Sequence, residues 1–488
     1  MSMLTRNAPG SARLFVGMFV CALSLTASSL QAQARVPPCR QSKVYGWVAE
    51  LPKKLAQCPT PNAKWQLRTF PLDEDATRKL CSYEWRPSST PTKAGLPSGL
   101  EYSADCMAIG VALKQQPFVS QPDGPTSEDI AAVEEDFLDA IDAPLRMSRA
   151  QAIAGSERPV LAFIDALPVQ APVPQDGSIQ HGNSLQTLAK LIGLCTDRSC
   201  RFDFDWLGKP ALFPYPRGEV AGSPLDSADS ILESIESYRT DPGESFVMSL
   251  GLGFEADARC ASLPKSPVVS ALREAIRRAA CETGAIVLAP VGNKRGDDVT
   301  TGMLYPAAFA AEELHCNGVP QGRPLVVAIS GVDLALRPLE SSRANAPLMT
   351  IGGPFAYEGK GPDEQLNPRT ASSVAVAAAG PIVSIAWYLR PDLDAAGLIK
   401  ALSKAGTASG SSRILRACRT WEKLCSNKQL GRCSDLATLC SGVPTVTAVE
   451  LQPTAATQAS AAQASTTGNE PEYCLGRGQR IEPSGPGE

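Results

Sequence analysis

Pro159-Val160-Leu161-Ala162-Phe163-Ile164 is six apolar residues in a row, and Asp165 follows without a spacer. A strand with one wet face alternates apolar and polar side chains, so an unbroken run of this kind points to a strand buried on both faces. The aspartate carries a charge from the core to the rim of the sheet, where a carboxylate can orient a histidine or simply terminate the strand. Downstream, residues 182–194 hold Leu185, Leu188, Leu191 and Ile192 on one side of a helix. Residues 245–250, 285–291 and 325–332 are further short apolar runs. Ser266-Pro267 opens another helix with an N-cap serine and a first-turn proline, and Val268, Leu272, Ala275, Ile276 and Ala279 keep helical spacing behind it. Strand and helix alternating over residues 158–408 predict an α/β fold with a mostly parallel central sheet and helices on both faces. In such sheets chemistry gathers where strands end and helices begin.

Four positions of that kind carry reactive side chains. Asp165 ends a strand, and His181-Gly182 opens a helix with one of the chain's two histidines. Gly292-Asn293 follows the run 285–291; its amide can donate to a developing oxyanion or form a turn. Ser372 lies in Arg369-Thr-Ala-Ser-Ser-Val-Ala-Val376, at the start of a nearly unbroken apolar segment reaching Leu389. From Val374 that segment is short for a membrane span and suited to a buried helix. A serine in its first turn sets its hydroxyl and N–H at a positive helix end, and it can equally be a capping serine.

In this order the residues resemble the subtilisin-like serine peptidases, over about residues 158–408. Phe163-Ile-Asp165 looks like that family's aspartate strand and His181-Gly182 like its histidine motif. Ser249-Leu250-Gly251 is similar to the segment whose backbone pairs with extended substrate, and Val291-Gly-Asn293 to the oxyanion asparagine. Tyr305-Pro306-Ala307 and Ala328-Ile-Ser-Gly-Val-Asp333 echo two more recurring segments. The resemblance implies a three-layer subtilisin-like fold, a triad of Asp165, His181 and Ser372, an acyl-enzyme route, polypeptide substrates and no cofactor. The departures are also plain. Ala166 and Leu167 replace the usual residues after the aspartate, and His181 follows Asp165 by only 16 positions. Asn183 stands where Thr is typical, and Thr370, Ala371, Val374 and Val376 replace the nucleophile motif's Gly, Thr, Ala and Pro. Counting back from Gly380 selects Ser372, with Ser373 as the other register. An inactive subtilisin-fold binding module is the alternative that these departures keep open.

The ends of the chain point to export. Arg6 and Arg13, the apolar stretch 14–25 and Ala32-Gln33-Ala34 form a secretory signal over residues 1–34, which leaves no stable membrane anchor once removed. Of 15 cysteines Cys21 leaves with the signal and 14 remain, an even number suited to disulfides in a periplasm or outside the cell. No tight C-x-x-C pair supports zinc instead, and no carboxylate loop commits to calcium, so no metal site is assigned. Residues 35–150 form a Pro-rich, Cys-containing region, compatible with a propeptide or an accessory domain, with a helix near residues 128–140. Residues 409–445 are a Cys-rich segment, and 446–488 read as a low-complexity flexible tail. A net charge of −4 without a Lys/Arg-rich run excludes nucleic acid as an expected partner.

Overall fold

The computed structural model describes residues 44–85, 93–106, 108–109, 114–115, 127–143, 159–165, 181–193, 203–207, 221–222, 224–238, 245–254, 267–294, 302–355, 369–426 and 429–440. The signal segment 1–34, the tail 446–488, Cys195, Cys200 and Ser266 lie outside them.

The run that decides the fold is a strand buried along its whole length, Val160–Ile164. The N-terminal region before it supplies β1 (Val44–Glu50), β2 (Trp65–Pro71), β3 (Lys79–Trp85) and β4 (Ser103–Cys106). With Val160–Ile164 as β5, the remaining strands are β6 (Asp203–Leu207), β7 (Phe246–Leu250), β8 (Ile286–Pro290), β9 (Glu313–Cys316), β10 (Val319–Pro324), β11 (Val327–Val332), β12 (Leu348–Ile351), β13 (Thr407–Ser409) and β14 (Ser412–Ile414). Eight of them form the central sheet in the order β13-β14-β12-β11-β8-β7-β5-β6. Every neighbouring pair is parallel except β13 with β14. The sheet therefore runs past residue 408, taking β14 from the segment assigned to the C-terminal extension.

Alternate residues of β5 enter different cores. Leu161 and Phe163 pack on one face of the sheet, and Val160, Ala162 and Ile164 on the other. Helices α2 (His181–Ile192) and α5 (Ser372–Leu389) cover the first face; α3 (Pro224–Tyr238) and α4 (Pro267–Glu282) cover the second. The result is three layers, helix, sheet and helix. Helix α5 is buried over all 18 residues. It is long and apolar enough to cross a membrane, and here it is a core helix. Its large apolar side chains each contribute about 1.5–3 kcal/mol by leaving water. Gly380 keeps it close to the sheet, since a Cβ there would lie 3.1 Å from Leu161 Cδ1 and 3.4 Å from Ser249 Oγ.

The N-terminal region contains a sheet that its sequence did not announce: four antiparallel-paired strands in the order β2-β3-β1-β4, closed by a Cys58–Cys81 disulfide. Val48, Phe70, Leu72 and Leu80 leave this sheet to share a core with Ile231 and Ile235 of α3 and Ala275 and Ile276 of α4. Charge closes the rim of the contact. Arg68 reaches Asp226 at 2.8 Å, Asp229 at 3.2 Å and Glu84 at 3.2 Å, while Arg277 of α4 meets Glu74 at 2.9 Å. The expected helix of the same region is α1 (Ser127–Ala140), and Phe137, Leu138, Ile141 and Ala143 belong to the α5 core.

The Cys-rich segment folds onto α5. Helix α6 (Ala395–Ala405) precedes it, and α7 (Ala417–Leu424) and α8 (Leu436–Leu439) lie in it, with disulfides Cys418–Cys440 and Cys425–Cys433. Trp421 is buried and its Nε1–H donates to the Ile382 carbonyl at 3.0 Å, inside the layer that α5 forms. Arg416 pairs with Asp142 at 2.6 Å and Arg419 with the same carboxylate at 3.1 Å. Burial pushes the Asp142 carboxyl up, with the two arginines opposing it. A fourth disulfide, Cys281–Cys316, ties the end of α4 to β9.

Candidate active site

The four chemically loaded positions are placed by one feature, the carboxyl edge of the parallel sheet. Strands β5, β7 and β8 are adjacent and parallel, so the residues that follow them lie side by side. These are Asp165, Gly251 and Gly292-Asn293. Helix α2 connects β5 to its parallel neighbour β6, and a helix in such a crossover begins at the carboxyl edge. His181 is its first residue. The His181 side chain lies outside the described residues, so its placement here is that of its backbone.

Asp165 is buried at the end of β5. Its carboxylate sits against Gly251: a Cβ on that glycine would come within 2.9 Å of Asp165 Cγ and closer still to Oδ2. Glycine here is a matter of space, because Gly251 lies outside the positive-φ region. Its N–H donates to the Ile164 carbonyl at 2.8 Å, extending the β5–β7 pairing by one step. Of the segment 249–251, Ser249 is buried and its hydroxyl donates to the Val376 carbonyl of α5 at 3.1 Å. That side chain fastens helix to sheet.

Ser372 is the first residue of α5. The first N–H groups of a helix have no partner within it. Ala371, the N-cap residue, has no side-chain acceptor to offer. Asn293 supplies one from 79 positions away: its Oδ1 accepts from the Ser372 N–H at 2.9 Å and from the Ser372 hydroxyl at 3.1 Å. The Gly292 N–H in turn donates to Ser372 Oγ at 3.1 Å. Gly292 has φ +94°, a conformation that favours glycine, and the bend it makes turns both its own N–H and the Asn293 amide toward α5. Asn293 is held from the other side by a bridge to Ser342. Ser372 is 1% exposed, Ser373 5% and Asn293 8%, so both serines are enclosed, and Ser372 meets the Gly292-Asn293 turn.

Asn293 presents its carbonyl end to Ser372. The physical reason is local: a backbone N–H at an uncapped helix start requires an acceptor, and Oδ1 is the atom that can accept. No sequence motif announces a cap so distant along the chain. The other histidine, His315, is exposed on β9, away from these residues, with its ring Nδ1 3.0 Å from the Glu313 carbonyl.

No family model and no curated protein matches the chain. Among solved structures it is similar to one described as the subtilase cytotoxin SubAB assembly, with a TM-score of 0.40, 16% identity, and coverage of 60% of this chain and 97% of that one. It is also similar to the prenylagaramide maturation protease PagA, at 0.38 and 15%, covering 55% and 95%. A third is the serine protease MycP1 of the type VII (ESX-1) secretion system, at 0.40 and 13%, covering 64% and 92%. These are likenesses to subtilase-like and serine protease structures at low identity, and the roles assigned below rest on the chain's own residues.

Proposed function

We propose that this chain is an exported serine endopeptidase in which Asp165, His181 and Ser372 form the triad. The observation that carries the reading is the Gly292-Asn293 turn against Ser372 at the start of a buried helix, on the sheet edge that also holds Asp165. His181 takes the Ser372 proton as Oγ attacks a peptide carbonyl, and returns it to the leaving amine. Asp165 fixes the imidazole tautomer and stabilises its charged form. The carbonyl oxygen gains charge as the tetrahedral intermediate forms, and the Ser372 N–H and the Asn293 amide are the donors nearest to it. Both are engaged with each other at rest. Reaction therefore requires the Asn293 amide to turn by about 180°, exchanging Oδ1 for Nδ2 and freeing the Ser372 N–H and hydroxyl. Acyl transfer of this kind uses no cofactor. Disulfides at both ends of the fold support export to a periplasm or the exterior.

One observation favours a second reading, an inactive module of the same fold. Asn293 already satisfies the α5 N-terminus and occupies both hydrogens of Ser372, which is a complete structural role. Hydrolysis of an unfolded polypeptide separates the two. The peptidase reading expects turnover by the wild type that falls at least about 10⁴-fold in Ser372→Ala. A folded wild type as inert as that variant overturns it.

A further inference from the structure

The Gly292-Asn293 turn is gripped on its far side by the segment 338–343. The Lys294 N–H donates to the Ser341 carbonyl at 2.7 Å and the Arg343 N–H to the Gly292 carbonyl at 3.0 Å, which sets Asn293 directly opposite Ser342 in an antiparallel bridge. The bonds leave from the residues on either side, so this is the non-hydrogen-bonded kind of pair. In such a pair the two Cα atoms are about 4.5 Å apart and the two side chains stand close together on one face. The segment is itself tied down. The Ser342 N–H donates to the Leu339 carbonyl at 3.0 Å, the Leu339 N–H to Gly331 of β11 at 3.0 Å, and Arg343 Nε to the Gly302 carbonyl at 3.2 Å. Ser342 is 5% exposed, and its hydroxyl has no hydrogen-bond partner among the described residues. A buried hydroxyl left unpaired bears the full cost of its lost hydration, so folds keep few of them.

We propose that Ser342 is a positioning residue for Asn293: its hydroxyl donates to Oδ1 once the amide has turned, and so holds Nδ2 toward the developing oxyanion. The catalytic role rests on the peptidase reading above; the reach from Ser342 to the side chain of residue 293 does not. At rest Asn293 Oδ1 accepts from both the N–H and the hydroxyl of Ser372, and the Ser342 hydroxyl is idle. When the amide turns, Oδ1 is carried away from both donors and needs another. Ser342 offers an O–H from the opposite strand, and a serine has three staggered χ1 positions from which to aim it.

The unpaired donor of the resting state is thereby the paired donor of the turned one. Its idleness raises the first state and its bond lowers the second, so a single hydroxyl narrows the gap between them from both sides. The fixed backbone of 338–343 keeps that donor in place while the asparagine moves.

Stability and turnover, measured separately, test this. Ser342→Ala removes no side-chain hydrogen bond at rest, so its thermal midpoint should equal or exceed that of wild type. Asn293→Asp gives residue 293 two accepting oxygens, one for Ser372 and one for Ser342, and charge strengthens the second bond. In that background the same Ser342→Ala should lower the midpoint by about 2 °C or more. This reversal of sign needs no catalysis. On a peptide substrate Ser342→Ala should lower kcat about tenfold with KM little changed, the worth of one hydrogen bond made only in the turned state. Ser342→Thr keeps the hydroxyl and should recover most of that loss. Adding Ser342→Ala to Asn293→Ala should cost nothing further, and this comparison takes over if Asn293→Asp does not fold. Midpoints that move alike in the two backgrounds overturn the reach, and the proposal with it, whatever the activity. A reversal of sign with an unchanged, measurable kcat overturns the positioning role. No turnover by the folded wild type sinks the peptidase reading and the positioning role together, while a reversal of sign still upholds the reach.

Discussion

Gly251→Ala puts a methyl group where the Asp165 carboxylate now is. The new Cβ would lie 2.9 Å from Asp165 Cγ and 3.3 Å from Phe163 Cε1, and nearer still to Asp165 Oδ2. Ordinary contact for such atoms begins at about 3.5 Å, so the carboxyl carbon has to retreat by roughly 0.6 Å and its oxygen by more. Phe163 is fully buried in the α5-side core and leaves no slack on that side. Overpacking of this sort costs about 1–3 kcal/mol of stability. If Asp165 orients the catalytic imidazole, a displacement on the order of 1 Å also lowers the chemical rate about 10²-fold. The assay is the rate of fluorophosphonate labelling, measured well below the melting temperature of both the wild type and the variant. A variant that is destabilised as expected and still labels at the parental rate would show that Asp165 has no part in activating Ser372.

Three further outcomes follow from the same geometry. Asn293→Ala removes both an oxyanion donor and the cap of α5, so kcat should fall about 10²–10³-fold with KM little changed, and thermal unfolding should show a loss of about 0.5–2 kcal/mol; an unchanged kcat in a folded variant rejects the oxyanion role. Tyr388 donates to Asp435 Oδ2 at 2.7 Å, and burial followed by that hydrogen bond pushes its pKa to about 12. This raised acid stabilises the fold fully below its unfolded value near 10 and loses that contribution as pH rises toward 12. Stability measured from pH 9 to 12 should therefore decline less steeply in Tyr388→Phe than in wild type, and parallel curves would refute the assignment. Finally, the unreduced mass of the exported chain should fall short of the reduced one by about 14 hydrogens, one for each cysteine after residue 34; ten or more free thiols would contradict it.

What the sequence makes legible follows from how each element is buried. Strand β5 is readable because both of its faces meet a core, which leaves no polar position to confuse the pattern. Helices α2 and α4 are readable because one face of each meets water and the other does not, and α5 because nothing around it is wet. The N-terminal sheet has no such signature. Only β2 and β3 are a local hairpin, β1 pairing with strands far along the chain, and residues such as Glu84 and Arg68 are turned inward to an ion-pair network whose other half, Asp226 and Asp229, lies about 150 residues away. The pairings of 108–109 with 221–222 and of 114–115 with 369–370 are two residues long and have no local propensity to find. The position of Ser372 at a helix start is legible, and so is Asn293 at a strand end. That the asparagine caps the serine's helix is not, because a cap is normally sought within a few residues and this one comes from another strand. Likewise the motif 249–251 is visible in sequence, but the use of the Ser249 hydroxyl on Val376 is a consequence of how closely Gly380 lets α5 approach the sheet.

The central claim is that Ser372 is an activated nucleophile. Its most direct test is to treat the folded full chain with a fluorophosphonate and to map the adduct by peptide mass spectrometry. The account predicts a single phosphonylated residue, Ser372, lost in Ser372→Ala and in His181→Ala, and retained in Ser373→Ala. An adduct on Ser373 would move the nucleophile by one residue and break its link to Asn293. No adduct on either serine would contradict the account at its centre.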